Sequence, residues 1–161
     1  MFVQNLRRRI GSRLSGEGES GFTLVELLVV MLILGLLAAI AIPSFFNQRD
    51  KATDADAKAA ARTAQTAMET FATDNGGSYS AATTAQALID IEPSLGNADL
   101  EAPTGLGDKT YTVTVNSEVD GQSFSITRFS NGVLDSDCTV PGTGGCPTDG
   151  NWADEGTDPD A

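Results

Sequence analysis

Residues 21–46 read GFTLVELLVVMLILGLLAAIAIPSFF, and this stretch decides the fold. Between Phe22 and Phe46 only one side chain, that of Glu26, carries a charge. A helix needs about 20 apolar residues to cross a bilayer, so the stretch is long enough to span one. Its Leu, Ile and Val residues favour membrane insertion by roughly 3–7 kcal/mol in total. The sequence therefore predicts a transmembrane segment at residues 22–46.

The charges on either side of this segment differ in sign. The whole chain of 161 residues has 10 basic and 22 acidic residues and a net charge of −12. Four arginines and two glutamates precede Phe22, so residues 22–161 keep six basic and twenty acidic residues, a net charge of −14. Because basic residues stay on the cytoplasmic side of a membrane, we expect a cytoplasmic leader at residues 1–21 and an exported acidic body after Arg49.

The composition excludes several kinds of active site. The chain contains no histidine, which excludes His-dependent triads, histidine general bases and zinc sites that use imidazole. An acidic surface also argues against a dedicated nucleic-acid site, since phosphates are neutralised by Lys and Arg. No phosphate-binding loop or metal-ligand run is present either. We therefore expect no catalytic residues and no enzymatic activity.

Beyond the apolar segment, the composition of residues 47–75 favours an amphipathic helix. Apolar residues recur there at helical spacing, at Ala60, Ala64, Ala67, Met68 and Phe71. We predict one helix of about 50 residues that starts near Phe22 and ends at Asn75-Gly76-Gly77, where glycine favours a left-handed cap.

Residues 76–161 are predicted to form an exported globular head. A short helix is expected at 83–89 and a loop from Pro93 to Gly107. Strands are expected at 110–115, 123–129 and 132–135, with turns at Asp120-Gly121 and Asn131-Gly132. The predicted fold class is α+β, a long N-terminal α-helix packed against a small antiparallel β-sheet.

The only two cysteines, Cys138 and Cys146, enclose a short loop rich in Gly, Pro and Thr. In an exported segment such a pair predicts a structural disulfide bond, worth roughly 2–3 kcal/mol for a loop of this length. A redox-active pair would have the closer C-x-x-C spacing, and a metal site would need further ligands.

The junction Gly21-Phe22-Thr23-Leu24-Val25-Glu26 has a specific pattern. A basic leader ends in glycine, an apolar segment starts at once, and a carboxylate occupies its fifth position. This pattern resembles the class III signal of type IV pilins and of the related type II secretion and competence pseudopilins, over residues 20–71. The resemblance implies a type IV pilin-like fold, cleavage by a prepilin peptidase between Gly21 and Phe22, and N-methylation of Phe22.

The resemblance also assigns roles inside the segment. Glu26 of one subunit would meet the N-terminal amine of a neighbour during assembly, whereas Gly35 and Pro43 would loosen the helix in the fibre. A carboxylate in a membrane is costly unless it is paired, which agrees with the role of Glu26. The alternatives are a Glu26 that is neutralised near the headgroups, and a glycine and proline that only kink the helix.

The resemblance predicts a pilin that polymerises with itself, together with a membrane stage and a pilus or secretion assembly platform. The first alternative is the major pseudopilin of a type II secretion or competence system. An alternative of another class is a membrane-anchored exported binding domain that does not polymerise. An ordinary signal peptide cut after Ala39-Ile40-Ala41 is the rival processing route. The expected location is the cytoplasmic membrane before assembly and the cell surface afterwards.

No cofactor is expected, and calcium is the one weak candidate. Carboxylates are abundant near the C-terminus, and hard cations prefer several carboxylate oxygens. The candidates are Asp135, Asp137 and Asp149, together with Asp154, Glu155, Asp158 and Asp160 of the tail. Their spacing matches no EF-hand, so a solvated acidic tail is the simpler interpretation.

Overall fold

The structure is a computed structural model that describes residues 21–152. The predicted leader therefore lies outside the described residues except for Gly21, and so do the four tail carboxylates after Trp152. The described residues form two units that meet in sequence between Ile42 and Pro43. The predicted α+β class is confirmed, with one long helix and a four-stranded antiparallel sheet.

The elements follow one another in a simple order. Helix α1 covers Leu24–Asp74, and the short helix α2 covers Ala85–Ile89. A 3₁₀-helix at Pro93–Asn97 precedes four strands, which are β1 (Asp99–Leu100), β2 (Tyr111–Asn116), β3 (Ser123–Arg128) and β4 (Leu134–Cys138). The sheet order is β1-β2-β3-β4, with every neighbouring pair antiparallel.

Helix α1 ends at the glycine pair that the sequence marks as its stop. Gly76 has a φ of 67°, in the left-handed region where glycine carries no steric penalty. The Gly77 amide donates to the Ala72 carbonyl at 2.7 Å, and the Asn75 side chain donates to the Phe71 carbonyl at 2.8 Å. The same two carbonyls also accept from the Asn75 amide at 3.1 Å, so the carbonyl groups of the last helical turn are paired at the cap.

The buried face of α1 is longer than the predicted stripe. Ala64, Ala67 and Met68 are buried as the spacing indicates, whereas Ala60 and Phe71 are half-buried beside the core. The buried face also extends nearly two turns toward the N-terminus, to Ala57 and Asp54. Ala61 and Ala72 are buried as well.

The core of the second unit combines small helix residues with large sheet residues. Strand β2 buries Tyr111, Val113 and Val115, and β3 buries Phe124 and Ile126, each in strict alternation. These large side chains pack with the alanines of α1 in one core, a small-against-large arrangement. Leu88 of α2 and Leu95 of the 3₁₀-helix complete the core.

The short helix and the strands β2 and β3 lie within two residues of their predicted bounds, whereas two other segments differ more from the prediction. The segment predicted as loop from Pro93 contains the 3₁₀-helix and the two-residue strand β1, which is too short to give an alternating pattern. The last strand starts at Leu134 rather than 132 and runs to Cys138, because the turn around Asn131-Gly132 is closed by a bond from the Phe129 amide to the Val133 carbonyl.

Candidate processing and assembly site

The predicted cleavage junction lies just before α1. Gly21, Phe22 and Thr23 are exposed and belong to no helix or strand, and Phe22 has 81% of its surface exposed. Among residues 21–152, nothing lies within 4 Å of the position that a Cβ on Gly21 would take. The bond between Gly21 and Phe22 is therefore uncovered by the part of the chain that the structure describes.

Thr23 caps the N-terminus of α1 and holds Glu26. Its hydroxyl accepts from the Glu26 amide at 3.2 Å and donates to Glu26 Oε2 at 3.4 Å. A threonine followed by a glutamate three residues later is the pattern of a capping box, and a carboxylate in the first turn is favoured by the helix dipole. The sequence contains this signal, but the prediction for Glu26 was pairing during assembly or neutralisation near the headgroups. The geometry gives Glu26 an intramolecular role at the helix start.

Every large apolar side chain from Phe22 to Phe46 is exposed. Helix α1 contains a window of mean hydropathy 2.9 that is long and apolar enough to cross a membrane, and none of that window is buried. Gly35 and Pro43 both lie inside α1. Exposed apolar surface on this scale calls for a lipid or protein environment. The loosening of the helix at Gly35 and Pro43 in a fibre stays a prediction.

A buried carboxylate attaches the disulfide loop to α1. Asp54 is fully buried and accepts from the Ser117 hydroxyl and from the Gly145 amide, both at 2.6 Å. One turn later, Lys58 donates to the Gly145 carbonyl at 2.5 Å, and its Nζ lies 5.1 Å from the Phe124 ring centroid. Burial lowers the pKa of Lys58, while the nearby Asp54 charge opposes that shift.

The disulfide loop itself is formed as predicted. Cys138 and Cys146 are bonded, with their Cα atoms 5.8 Å apart, which confirms the predicted pair. Trp152 packs edge to face against Phe124 and donates from Nε1 to the Asp137 carbonyl at 2.9 Å. The end of the described chain is thereby held against β3 and β4.

A second carboxylate of α1 attaches the sheet near the other end of the head. Glu69 accepts from the Tyr79 hydroxyl at 2.6 Å and from the Tyr111 hydroxyl at 2.9 Å. Arg128 Nε lies 3.3 Å from the same carboxylate, and its guanidinium lies 5.3 Å from the Tyr79 ring centroid. Burial first, and then the neighbouring Glu69, raise the pKa of Tyr111 well above its ordinary value. The roles of Asp54 and Glu69 were not predicted from the sequence, because apolar periodicity carries no information on distant polar partners.

Three of the calcium candidates, Asp135, Asp137 and Asp149, lie within the described residues. Asp135 accepts from the Ser136 amide at 2.8 Å and from the Asn151 side chain at 3.2 Å. Asp149 accepts from the Asn151 amide at 3.2 Å, and Asp137 is exposed on β4. Between residues 21 and 152, no three acidic or cysteine side chains lie close enough together to hold a metal ion.

Comparisons with known proteins match this chain to a methylation-motif family, to type IV pilins and to a type II secretion protein. The family model for the prokaryotic N-terminal methylation motif matches residues 18–42. The type IV major fimbrial protein of Dichelobacter nodosus is 31% identical over 105 residues, which cover 64% of this chain and 67% of that protein.

Two further relatives match over shorter stretches. The type IV major pilin protein of Myxococcus xanthus is 43% identical over 32% of this chain and 23% of its own length. The type II secretion system core protein G of Pseudomonas aeruginosa is 39% identical over 35% of this chain and 40% of its own length. The chain thus spans well under half the length of these two relatives. No solved structure matches the chain.

Proposed function

Because this chain belongs to the type IV pilin and pseudopilin family, we propose that it is a structural subunit that polymerises through its N-terminal helix into a pilus-like fibre. The observation that carries the proposal is the exposed apolar surface from Phe22 to Phe46, which has one charge and is left uncovered by the rest of residues 21–152. Packing these segments against one another in a fibre would bury that surface. The acidic heads would then face outward.

Processing precedes assembly in this proposal. A prepilin peptidase would cut the exposed bond between Gly21 and Phe22 and methylate Phe22, and the cytoplasmic leader would be lost. The chain would stand in the membrane with its N-terminus in the cytoplasm until an assembly platform extracts it. Cleavage would place a new amine on Phe22, one residue before Thr23 of the α1 capping box and four residues before Glu26.

Glu26 is the residue that sets the register between subunits in this proposal. Its carboxylate would pair with the amine of Phe22 from a neighbouring subunit, and a buried pair of this kind is costly to break by removing one partner. The head contributes packing and surface, and we assign no catalytic role to any residue.

The proposal is tested with Glu26→Ala and Glu26→Gln in the full chain, expressed in its native host. We expect processed subunits to accumulate in the membrane while sheared, sedimentable fibres fall at least tenfold for both variants. Thr23→Ala is the matched control for the capping role, since it removes the cap and keeps the carboxylate. Normal fibre yield from Glu26→Ala would contradict the proposed role of Glu26.

A second candidate function is the major pseudopilin of a type II secretion system. The similarity to the secretion system core protein G of Pseudomonas aeruginosa favours it. Deletion of the gene separates the two functions, since a pilin loss removes long surface fibres and a pseudopilin loss stops protein export. A membrane-anchored domain that never polymerises would leave both unchanged and would be a monomer in detergent.

A further inference from the structure

A groove of about 390 Å³ lies between α1 and the C-terminal end of β2. Its less exposed lining residues include the small apolar side chains of Ala57, Ala60, Ala98 and Val115, together with the polar side chains of Thr53, Asn116 and Ser117. Its exposed lining residues include three carboxylates, those of Asp56, Asp99 and Glu118. The groove therefore combines a floor of small apolar and polar residues with an acidic rim.

The three carboxylates form no ion pair within residues 21–152. They also lack the convergence that a metal ion needs, since no metal-holding cluster occurs in the same residues. A lysine side chain fits this surface better, because its methylene stem can lie along apolar residues while the ammonium group reaches acidic oxygens. The groove is thus suited to a lysine side chain from outside it.

Four cations of the described chain have exposed side chains. Arg62 lies over the Trp152 ring, 5.3 Å from its centroid, whereas Arg49, Lys51 and Lys109 form no ion pair among residues 21–152. Arg49 lies four residues before Thr53, on the same flank of α1 as the groove. Lys51 is two residues from Thr53 and therefore projects about 160° away from it. One subunit consequently carries the groove and Lys51 on opposite flanks of the same helix.

Lys51 and Lys109 differ in how far they lie from the groove's carboxylates along the subunit. Lys51 and Asp56 are separated by five residues of α1, about 8 Å along the helix axis. Lys109 precedes β2, whereas Glu118 follows it, so the six-residue strand sets them about 20 Å apart. Copies that stand side by side with little axial stagger would bring Lys51, and not Lys109, to the groove of a neighbour.

We infer that the groove is a docking site for Lys51 of an adjacent copy of this chain. This inference rests on the proposed function, since it adds a contact between heads to a fibre joined through residues 22–46. Two different surfaces on opposite flanks form a heterologous contact, which repeats without closing in a helical polymer. The contact also supplies local attraction between heads that each belong to a chain with a net charge of −14 after Gly21.

The test is site-specific crosslinking in fibres from cells that express the full chain. The variant that combines Lys51→Cys with Glu118→Cys is sheared, oxidised and separated without reducing agent. We expect a ladder of covalent multimers. Each single substitution should give no ladder, because the contact joins unlike surfaces, and the combination of Lys109→Cys with Glu118→Cys is the matched control.

Charge exchange gives a second measurement that needs no added cysteine. Lys51→Glu alone and Glu118→Lys alone should each lower fibre yield about fivefold at unchanged subunit level, and the double variant should restore the yield to within twofold. Lys109→Glu should leave the yield unchanged. Fibres without a Lys51–Glu118 ladder and without rescue would overturn the inference, whereas absence of any fibre from the unmodified chain would overturn the proposed function instead.

Discussion

At the residue scale, three carboxylates of α1 have different surroundings and different tasks. Glu26 is exposed within the first turn and is held by Thr23. Asp54 is buried and satisfied by two donors from distant parts of the head. Glu69 joins two tyrosine hydroxyls and an arginine. A buried polar group contributes to a unique fold only when its hydrogen bonds are complete, and Asp54 meets that condition.

Gly144→Ala is the sharpest test of the Asp54 contact. Gly144 and Gly142 both have left-handed φ angles, 58° and 77°, so alanine costs about 1 kcal/mol of backbone strain at either position. A Cβ on Gly144 would in addition overlap Asp54 Oδ2, whereas one on Gly142 would meet only Thr148 Cγ2 at 3.6 Å. We expect Gly144→Ala to lower the free energy of unfolding by about 1–3 kcal/mol more than Gly142→Ala.

The measurement is denaturant unfolding of the full chain in detergent, followed by fluorescence. Trp152 is the only tryptophan and it packs on Phe124, so its emission reports on the head. Equal losses for the two alanine variants would contradict the assigned contact between Asp54 and the disulfide loop.

Tyr111 predicts how stability depends on alkaline pH. Its pKa in the folded chain lies above its ordinary value of 10.0, so the folded state binds more protons than the unfolded state above that pH. The free energy of unfolding should therefore be full below about pH 10 and fall above it, by up to about 1.4 kcal/mol per pH unit. Tyr111→Phe should make this decline shallower.

Tyr79 and Lys58 also contribute to the dependence of the unfolding free energy on pH. Tyr79 has a pKa shifted in the same direction and keeps part of the decline in the variant. The lowered pKa of Lys58 acts in the opposite sense, since it makes stability rise as pH approaches 10.5, and it is common to both chains. Parallel curves of unfolding free energy for the two chains between pH 9 and about 11.5 would refute the role of Tyr111.

At the element scale, strong periodicity made α1, β2 and β3 predictable. The apolar segment and the Ala/Met stripe define α1, and the Asn75-Gly76-Gly77 stop is at its end. Strand β1 has two residues, and β4 places Asp135 and Asp137 on its less buried side, so neither shows an apolar alternation. Element type therefore followed from patterns with several repeats, and short elements without repeats were missed or shifted.

The hydrogen bonds of Asp54 could not be predicted from the sequence, for a different reason. The partners of Asp54 come from residues 63 and 91 positions later in the chain, and such pairing leaves no local pattern. The Thr23–Glu26 cap is the exception, because a capping box is a local signal. The pattern that singles out Gly21, Phe22 and Glu26 is local as well, because the predicted leader, the predicted cleavage junction and the apolar segment adjoin one another.

The alanine face of α1 makes a prediction about packing. Ala61 is fully buried beneath the sheet, whereas Ala59 is exposed on another face of the same helix turn. Ala61→Leu should destabilise the head by about 1–3 kcal/mol because the core has no room for three more carbon atoms. Ala59→Leu should change the free energy of unfolding by less than about 0.5 kcal/mol. Similar values for both, measured by Trp152 fluorescence, would place the core elsewhere.

At the scale of the whole molecule, the net charge of −12 is the sum of a basic part and an acidic part. The leader is basic, residues 22–46 carry a single acid, and the remaining chain is strongly acidic. Removal of the leader in the proposed processing step makes the subunit more negative, at −14. Like charges on the heads oppose close packing, so the fibre depends on the apolar segments and on local contacts such as the one inferred for Lys51.

Salt concentration should separate these contributions. Because repulsion between exposed charges is screened over about 8 Å at 0.15 M salt, added monovalent salt should strengthen fibres of an acidic subunit whose cohesion is apolar. We expect sheared fibres to resist detergent dissociation better at 0.5 M NaCl than at about 0.02 M NaCl. The reverse dependence would indicate that ion pairs, rather than residues 22–46, provide most of the cohesion.

Polymerisation through a processed N-terminal segment is tested most directly by the intact mass of the subunit recovered from sheared, sedimented surface fibres. We expect a chain that begins at Phe22, carries one additional methyl group and retains the Cys138–Cys146 bond. A soluble chain that begins at Ile42, or an uncut chain from Met1 that stays in the membrane and forms no sedimentable fibre, would contradict it.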